Sequence, residues 1–320
     1  MRHDSFTRLL CVFLGSCLLL GGCAGGAGEP DESAVPESSE SGQAASESHR
    51  DSTPVVLVPE ASGQVTYGND RATLDASHTS EGYLMVRYDG TADPVKMRIQ
   101  MPDETLYTYT LHPGSYEVFP LTGGDGSYQV TVYEYRPATD DYISAFSQAL
   151  SVSLHDEFSV YLYPNQYVSF TADSQTVAKG AELAQGAADD LDVVSRIYTY
   201  ITENIAYDYD LAENVQSGYV PDVDQVLESG KGICFDYAAL MAAMLRSQRI
   251  PTRLEIGYAG IAYHAWISTH IDGLGWVNGI IHFDGSTWTL MDPTFAANSA
   301  ADDLKDFIGN GENYQTKYRY

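Results

Sequence analysis

The segment that most constrains the fold of this chain begins at Cys234 and runs to Arg246, with small or apolar residues at nearly every position. A helix that is apolar on almost all sides has to be buried, so this segment is predicted to be the central helix of a domain. Cys234 is the only cysteine beyond the first 23 residues, and it stands at the amino-terminal end of that helix. Any fold of this chain must therefore place a single thiol at the start of a buried helix.

Two chemically active residues follow this thiol along the chain. His264 lies in a predicted strand, and Asp292 stands at the end of a later one. A thiol, an imidazole and a carboxylate that meet in space can act as nucleophile, base and orienting group. The free N–H groups and the dipole of a helix start lower the pKa of a thiol there, and the N–H of Cys234 is expected to point at an oxyanion. The sequence therefore predicts a cysteine acyl-transfer site made of Cys234, His264 and Asp292.

Each of these three residues also has a simpler interpretation. A lone cysteine is often an inert packing residue, and a histidine on a strand is often merely packed or exposed. An aspartate before a proline, as at Asp292, commonly starts a turn. The amino terminus of this chain has the pattern of an export signal, and an exported protein needs a reason to keep one unpaired thiol in an oxidising setting, which favours the catalytic interpretation.

The spacing of the histidines and carboxylates near the predicted base does not favour a metal site. The candidates are His264, His270, Asp272, His282 and Asp284. No pair among them has the tight spacing of a zinc site, and one cysteine does not supply a set of thiolate ligands. We therefore predict no metal and no cofactor.

The amino-terminal 22 residues are predicted to be a lipoprotein signal peptide. A short basic region precedes an apolar stretch, residues 9–20, that is too short to span a bilayer. The segment that ends in Cys23 is similar to a bacterial lipobox, whose cysteine is acylated and becomes the first residue of the mature protein. Residues 14–17 form a competing site, and an ordinary cleaved signal without lipid is the alternative. Acylation at Cys23 would anchor the mature chain to the cell membrane on its extracellular side.

Three regions are predicted beyond the signal peptide. Residues 23–53 are rich in Gly, Ser, Glu, Ala and Pro and are expected to be a disordered tether. In residues 54–160, apolar and polar residues alternate in several short runs separated by turn residues, which favours an antiparallel, immunoglobulin-like β-sandwich. The tyrosines of this region suit strands, and they could also form a carbohydrate- or protein-binding face. Residues 161–320 combine helical periods with alternating strands and are expected to form an α+β domain.

This last region resembles the bacterial transglutaminase-like superfamily in a series of ordered motifs. They are Ile205-Ala206-Tyr207-Asp208, Gly232-Ile233-Cys234-Phe235-Asp236-Tyr237-Ala238, Leu245-Arg246 with Ile250-Pro251-Thr252-Arg253, Gly257-Tyr258, His264-Ala265-Trp266 and Asp292-Pro293-Thr294. The resemblance covers residues 168–295 and implies a papain-like α+β fold, with Cys234 as nucleophile, His264 as base and Asp292 as orienter. It also implies an aromatic or amide side chain at the oxyanion, for which Tyr207 is the candidate.

The sequence departs from the compact form of that family between His264 and Asp292. This stretch is longer, and it contains Trp276 and an apparent extra hairpin. Such an insertion could cover the cleft or restrict the substrates, so the family's substrates are not carried over to this chain.

The formal net charge of -27 argues against nucleic acid and anionic bilayer surfaces as partners, because both would repel this protein. The sequence favours a surface thiol acyltransferase, peptidase or amidase that forms a thioester at Cys234 with a peptide, protein or cell-wall amide. The acceptor, an amine or water, depends on access to the cleft. The alternative is a non-catalytic binding or wall-associated lipoprotein in which the β domain performs the recognition.

Overall fold

The computed structural model describes residues 49–259, 261–278, 282–283, 288–289 and 314–320. The described chain is a mixed α+β protein, in which two antiparallel sheets come first and are followed by helices and a third sheet. The predicted signal peptide, Cys23, most of the predicted tether and Asp292 lie outside the described residues.

Two four-stranded antiparallel sheets occupy the first part of the described chain. Their strands are β1 (Thr66–Gly68), β2 (Ala72–Asp75), β3 (Tyr83–Tyr88), β4 (Val95–Gln100), β5 (Leu106–Leu111), β6 (Tyr116–Pro120), β7 (Gly126–Arg136) and β8 (Asp141–Val152). The first sheet has the order β1, β2, β3, β6, and the second has the order β5, β4, β7, β8. In β4, Val95, Met97 and Ile99 are buried whereas Arg98 and Gln100 are exposed, which confirms the period of two in the sequence.

Polar and aromatic contacts join these two sheets. Glu134 of β7 accepts hydrogen bonds from the Tyr88 hydroxyl of β3 and from Arg71 Nε, the latter at 2.8 Å. The hydrogen bond from the Arg71 guanidinium holds the pKa of Glu134 below its usual range. Tyr109 of β5 packs edge-on against Phe119 of β6, with the ring centroids 5.0 Å apart. The two sheets therefore share one core, and the more specific immunoglobulin-like assignment stays a prediction.

Five α-helices follow in the described residues, and several of them begin at an aspartate. They are α1 (Gln175–Ala184), α2 (Asp190–Asn204), α3 (Tyr209–Asn214), α4 (Val223–Ser229) and α5 (Cys234–Ser247). Asp189, Asp208 and Asp222 precede α2, α3 and α4, and each side chain accepts a hydrogen bond from a backbone N–H of the first turn. In α5 every residue from 236 to 247 is buried, which confirms the predicted central helix.

A third four-stranded sheet and two short strand pairs complete the described fold. The remaining strands are β9 (Ala206–Tyr207), β10 (Lys231–Gly232), β11 (Thr252–Ala259), β12 (Ala262–Ile271), β13 (Gly275–Asn278), β14 (His282–Phe283), β15 (Trp288–Thr289) and β16 (Tyr314–Arg319). The sheet is antiparallel and has the order β13, β12, β11, β16. β9 and β10 pair in parallel, and β14 pairs with β15 as the predicted hairpin.

A fully buried arginine ties three parts of this region together. Arg246 of α5 donates hydrogen bonds to the backbone oxygens of Tyr163 at 2.7 Å, of Thr252 at 2.8 and 3.0 Å, and of Tyr320 at 2.6 Å. Burial lowers the pKa of Arg246 to about 9, so the guanidinium remains protonated at neutral pH. The side chain therefore links α5 to the start of β11, to the connection before α1 and to the residue after β16.

Residues 50–55 lie against the helical region. Arg50 forms an ion pair with Asp190 at the start of α2, and the Val55 N–H donates to the Ser247 carbonyl oxygen at 2.8 Å. The side chain of Arg50 therefore holds the end of the predicted tether, residues 23–53, against the start of α2. The composition of the stretch, on which that prediction was based, gives no sign of this contact.

We expect Arg246→Met to lower the free energy of unfolding by about 3 kcal/mol or more, because it removes the donors of several buried hydrogen bonds. Arg249→Met is the matched control, since Arg249 is partly exposed and pairs at the surface with Asp51. The control should lose about 1 kcal/mol or less. Chemical denaturation of both variants measures the difference, and equal losses would show that Arg246 contributes no more than a surface arginine.

Candidate active site

A carboxylate two residues after the thiol fixes the backbone at the start of α5. Asp236 Oδ2 accepts a hydrogen bond from the Ile233 N–H at 2.8 Å, and Asp236 Oδ1 accepts one from the Tyr219 hydroxyl at 2.7 Å. A Cβ on Gly232 would lie 2.7 Å from the Asp236 Cβ, so this position requires glycine. Asp236 is completely buried, and burial raises its pKa. These contacts start the helix at Cys234, as predicted.

The thiol of Cys234 is partly buried and receives hydrogen bonds from the backbone. Burial is the strongest influence on it and raises the pKa of Cys234 above the ordinary value. The N–H groups of Ala265 and Phe235 donate to the sulfur and lower that pKa, whereas the charge of Asp236 adds to the increase. The predicted effect of the helix start is therefore present, but removal of the sulfur from water outweighs it.

Tyr207 lies beside the thiol because of a short strand pair. The register of β9 and β10 pairs Tyr207 with Gly232, two residues before Cys234. The Cys234 N–H donates a hydrogen bond to the Tyr207 hydroxyl oxygen. Burial, together with the nearby Cys234, raises the pKa of Tyr207 to about 12, so the hydroxyl keeps its proton at neutral pH. A backbone N–H and a phenolic O–H thus meet where the sequence predicts an oxyanion.

His264 lies on β12, in the part of the strand that reaches the thiol. Its register partner on β11 is Gly257, and the N–H of the next residue, Ala265, donates to the Cys234 sulfur. A Cβ on Gly257 would lie 2.0 Å from the carbonyl oxygen of Gln315 on β16, so the central strand needs glycine at this point. The structure thus brings the strand position of His264 to the thiol.

A buried carboxylate that the sequence reasoning missed holds the same strand. Glu255 of β11 accepts hydrogen bonds from Trp266 Nε1 at 2.9 Å, from Ser268 Oγ at 2.6 Å and from Arg319 Nε at 3.1 Å. Trp266 and Ser268 share a face of β12 with His264, because side chains alternate along a strand. The sequence offers one indication of this role, since Glu255 is the only charged residue within residues 254–258.

Two predictions concern the stretch that follows His264. Asp292, the predicted orienter, lies outside the described residues, so its role stays a prediction. Trp276 packs on Arg253, whose guanidinium lies 3.5 Å from the ring centroid, and on Tyr161, whose ring centroid is 5.4 Å away. Trp276 therefore joins β13 to the segment that precedes α1, and the predicted lid would have to come from other residues of the stretch.

Two exposed tyrosines neighbour residues of the thiol site, and a cavity lies beside the first turn of α5. Tyr209 is 57% exposed and packs against Tyr207, with the ring centroids 5.0 Å apart. Tyr263, which is 58% exposed, precedes His264 on β12. A cavity of about 370 Å³ lies between α3, α4 and the start of α5. Its lining combines charged residues such as Asp208 and Asp236 with apolar ones such as Leu211, and a concave surface of this kind can bind a ligand.

The described residues offer no arrangement for a metal ion and no membrane-spanning helix. Among them, no group of three or more His, Cys, Asp or Glu side chains is placed to hold a metal. In the same part of the chain, no helix is both long and apolar enough to cross a membrane.

Comparison with protein families identifies the region around the thiol. The sequence profile of the transglutaminase-like superfamily matches residues 177–279, from α1 to the end of β13. This part of the chain belongs to the transglutaminase-like superfamily. The matched range includes Tyr207, Cys234 and His264 but stops before Asp292. The resemblance inferred from the ordered motifs is thereby confirmed.

The individual proteins to which this chain is similar share less than 30% sequence identity with it. UPF0252 protein MJ1282 of Methanocaldococcus jannaschii is 29% identical over 91 residues, which is 25% of this chain and only 26% of that protein. The periplasmic domain of TgpA from Pseudomonas aeruginosa is 18% identical with a TM-score of 0.31, over 77% of this chain and 80% of that one. A candidate cysteine protease from Cytophaga hutchinsonii is 15% identical with a TM-score of 0.33, over 72% and 74% of the two chains. Such scores mean that the backbones superpose only in part, and nothing about activity follows from them.

Labelling of Cys234 by iodoacetamide is expected to reach half its maximal rate at a pH above the pKa of an ordinary thiol, about 8.5, because burial disfavours the thiolate. Asp236→Asn should move this midpoint to lower pH, since it removes a negative charge near the sulfur and keeps an acceptor for the Ile233 N–H. Asp222→Asn, at a helix-capping aspartate that does not act on the thiol, should leave the midpoint unchanged.

Mass spectrometry of the labelled protein across a pH series measures these midpoints. A wild-type midpoint well below that of an ordinary thiol would contradict the account. It would indicate that the resting protein holds a thiolate, stabilised by a protonated His264.

Proposed function

We propose that this protein is a thiol acyltransferase or hydrolase that attacks a peptide or amide carbonyl through Cys234. The observation that most directly supports this is the meeting of the Cys234 N–H, the Tyr207 hydroxyl and the thiol at the start of α5. A packing cysteine has no need for two donors beside its sulfur, whereas an acyl-transfer site needs them for the oxyanion. Membership of the superfamily adds to this argument but does not by itself identify the reaction.

In the proposed reaction His264 takes the proton of the Cys234 thiol while the sulfur forms a bond to the substrate carbonyl carbon. The carbonyl oxygen becomes an oxyanion that accepts hydrogen bonds from the Cys234 N–H and the Tyr207 hydroxyl. Collapse of this intermediate breaks the carbon–nitrogen bond, and His264 gives its proton to the leaving amine. An amine or a water then attacks the thioester, and its proton passes through His264 to the released thiolate. Asp292 is proposed to orient the imidazole.

The proposed substrates are amides of peptides, proteins or the cell wall. Tyr209, which is exposed and packs on Tyr207, offers apolar contact surface at the site, and the cavity of about 370 Å³ lies beside the first turn of α5. Transfer to an amine and transfer to water proceed through the same thioester. An assay therefore has to supply both acceptors.

We also propose that Cys23 carries lipid and that residues 23–53 tether the protein to the extracellular side of the cell membrane. The lipobox-like segment before Cys23 supports this proposal. An immunoglobulin-like sandwich is proposed for residues 54–160, and the two antiparallel sheets with a shared core support it. Membrane fractionation tests the anchor, because a Cys23→Ser variant should leave the membrane fraction.

A non-catalytic binding lipoprotein is the second candidate function, and one observation favours it. Burial raises the pKa of Cys234, as expected for a thiol that serves only in packing. In that case the β domain performs the recognition, and the donors around the sulfur have no chemical role.

We expect Cys234→Ala to abolish turnover and Tyr207→Phe to reduce kcat by about a hundredfold, because the latter removes one oxyanion donor. Tyr209→Phe is the matched control, since this neighbouring tyrosine is exposed and should retain near-full activity. The assay follows amine release from fluorogenic peptide amides, with and without a labelled primary amine as acceptor. Thermal unfolding of each variant verifies that the fold is retained.

Turnover by the Cys234→Ala protein would contradict the proposed mechanism. Equal activity of the Tyr207→Phe and Tyr209→Phe proteins would show that the Tyr207 hydroxyl does not act as an oxyanion donor. A wild-type protein that neither turns over nor becomes acylated would favour the binding lipoprotein.

A further inference from the structure

The carboxylate of Glu255 joins three neighbouring strands of the third sheet on one face. Glu255 is only 4% exposed, and its Oε2 accepts hydrogen bonds from Trp266 Nε1 and Ser268 Oγ, both on β12. Its Oε1 accepts a hydrogen bond from Arg319 Nε on β16. The proposed steps of acyl transfer give this cluster no role.

Stability alone is a weak reason to bury a carboxylate at this position. A buried carboxylate loses its hydration, and a well-packed apolar residue in its place is often equally stable. A carboxylate differs from an apolar residue in that its hydrogen bonds are directional. The Trp266 indole and the Ser268 hydroxyl both reach Glu255 Oε2, so these two bonds hold β12 in one alignment on β11.

At His264 itself, β11 has no side chain that could hold β12 in this way. The register partner of His264 is Gly257, and the pairing of β11 with β16 shifts at that glycine. Glu255 lies opposite Trp266, two residues from His264, and two residues of a strand span about 7 Å. Among the described residues of β11, Glu255 is the one whose side chain hydrogen-bonds to β12 nearest to His264.

We propose that Glu255 is a positioning residue of the thiol site, an inference that rests on the proposed acyl-transfer function. By holding Trp266 and Ser268, its carboxylate fixes the part of β12 that supplies two groups to the site. These groups are the His264 imidazole and the Ala265 N–H, which donates to the Cys234 sulfur. Glu255 therefore acts on the reacting atoms through the strand.

The test compares Glu255→Gln with Glu134→Gln, a matched control at a second buried carboxylate. Glu134 lies between the first two sheets and binds the Tyr88 hydroxyl and Arg71. Each change removes the charge of an ion pair with an arginine, so both variants should have a lower thermal midpoint. In the fluorogenic amide assay, Glu255→Gln alone should lower kcat, by about tenfold or more, because a small displacement of a catalytic group has a large effect on rate. Its KM should stay near that of the wild type, since Glu255 lies away from the substrate.

A second measurement needs no turnover. Iodoacetamide labelling of Cys234 across a pH series should have its midpoint at higher pH in Glu255→Gln than in the wild type. A displaced β12 weakens the hydrogen bond from the Ala265 N–H, and that bond favours the thiolate. Glu134→Gln should share the wild-type midpoint.

Trp266→Phe provides a second variant, because it keeps a buried aromatic ring but removes the Nε1 donor to Glu255. It should lower kcat and raise the labelling midpoint in the same way, and it carries the test if Glu255→Gln does not fold. A folded Glu255→Gln protein with the wild-type kcat, or with the wild-type labelling midpoint, would overturn the proposal. Equal losses of kcat in Glu255→Gln and Glu134→Gln would also overturn it, since they would indicate a general loss of stability.

A wild-type protein without turnover would contradict the acyl-transfer function instead. The labelling midpoints would then decide by themselves whether Glu255 positions β12 against the thiol.

Discussion

The two hydrogen bonds of the Asp236 carboxylate are the contacts on which the rest of the thiol site depends. They tie the Ile233 N–H and the Tyr219 hydroxyl to Asp236 in the first turn of α5. This fixes the backbone around Cys234 and therefore the orientation of its N–H. Tyr207 meets that N–H through the pairing of β9 with β10, and the third sheet reaches the sulfur through β12. A helix cap contributes only about 0.5–2 kcal/mol to stability, but here it also determines where the reactive atoms lie.

Cys234 has hydrogen-bond donors around its sulfur but a raised thiol pKa, whereas in cysteine enzymes such donors often accompany a lowered one. The N–H donors around the sulfur are those of an activated thiol, whereas burial keeps the thiol protonated in the free protein. At a pH below the pKa of the thiol, an increase of one in that pKa lowers the thiolate fraction about tenfold. Ionisation would then have to accompany proton transfer to His264 when a substrate binds. A protonated resting thiol is also less open to oxidation, which suits a protein expected outside the cytoplasm.

The sequence predicted those features that repeat along one element. The apolar run after Cys234 identified the buried helix and its first residue, and alternation in β4 identified a half-buried strand. Contacts between side chains that lie far apart in the chain were not predicted, because such contacts follow no repeating pattern in the sequence. Tyr219 reaches Asp236 from a connection before α4, and Glu255 collects donors from two neighbouring strands. Likewise, Arg50 binds the helical region from a segment whose composition suggests disorder.

Formation of a thioester at Cys234 can be detected by intact-mass analysis of the protein after rapid acid quench from a mixture with an amide substrate, followed by peptide mapping. We expect an acyl mass on Cys234 that hydroxylamine removes and that is absent from the Cys234→Ala protein. Substrate turnover without any adduct on Cys234, or an adduct carried by a different residue, would contradict it.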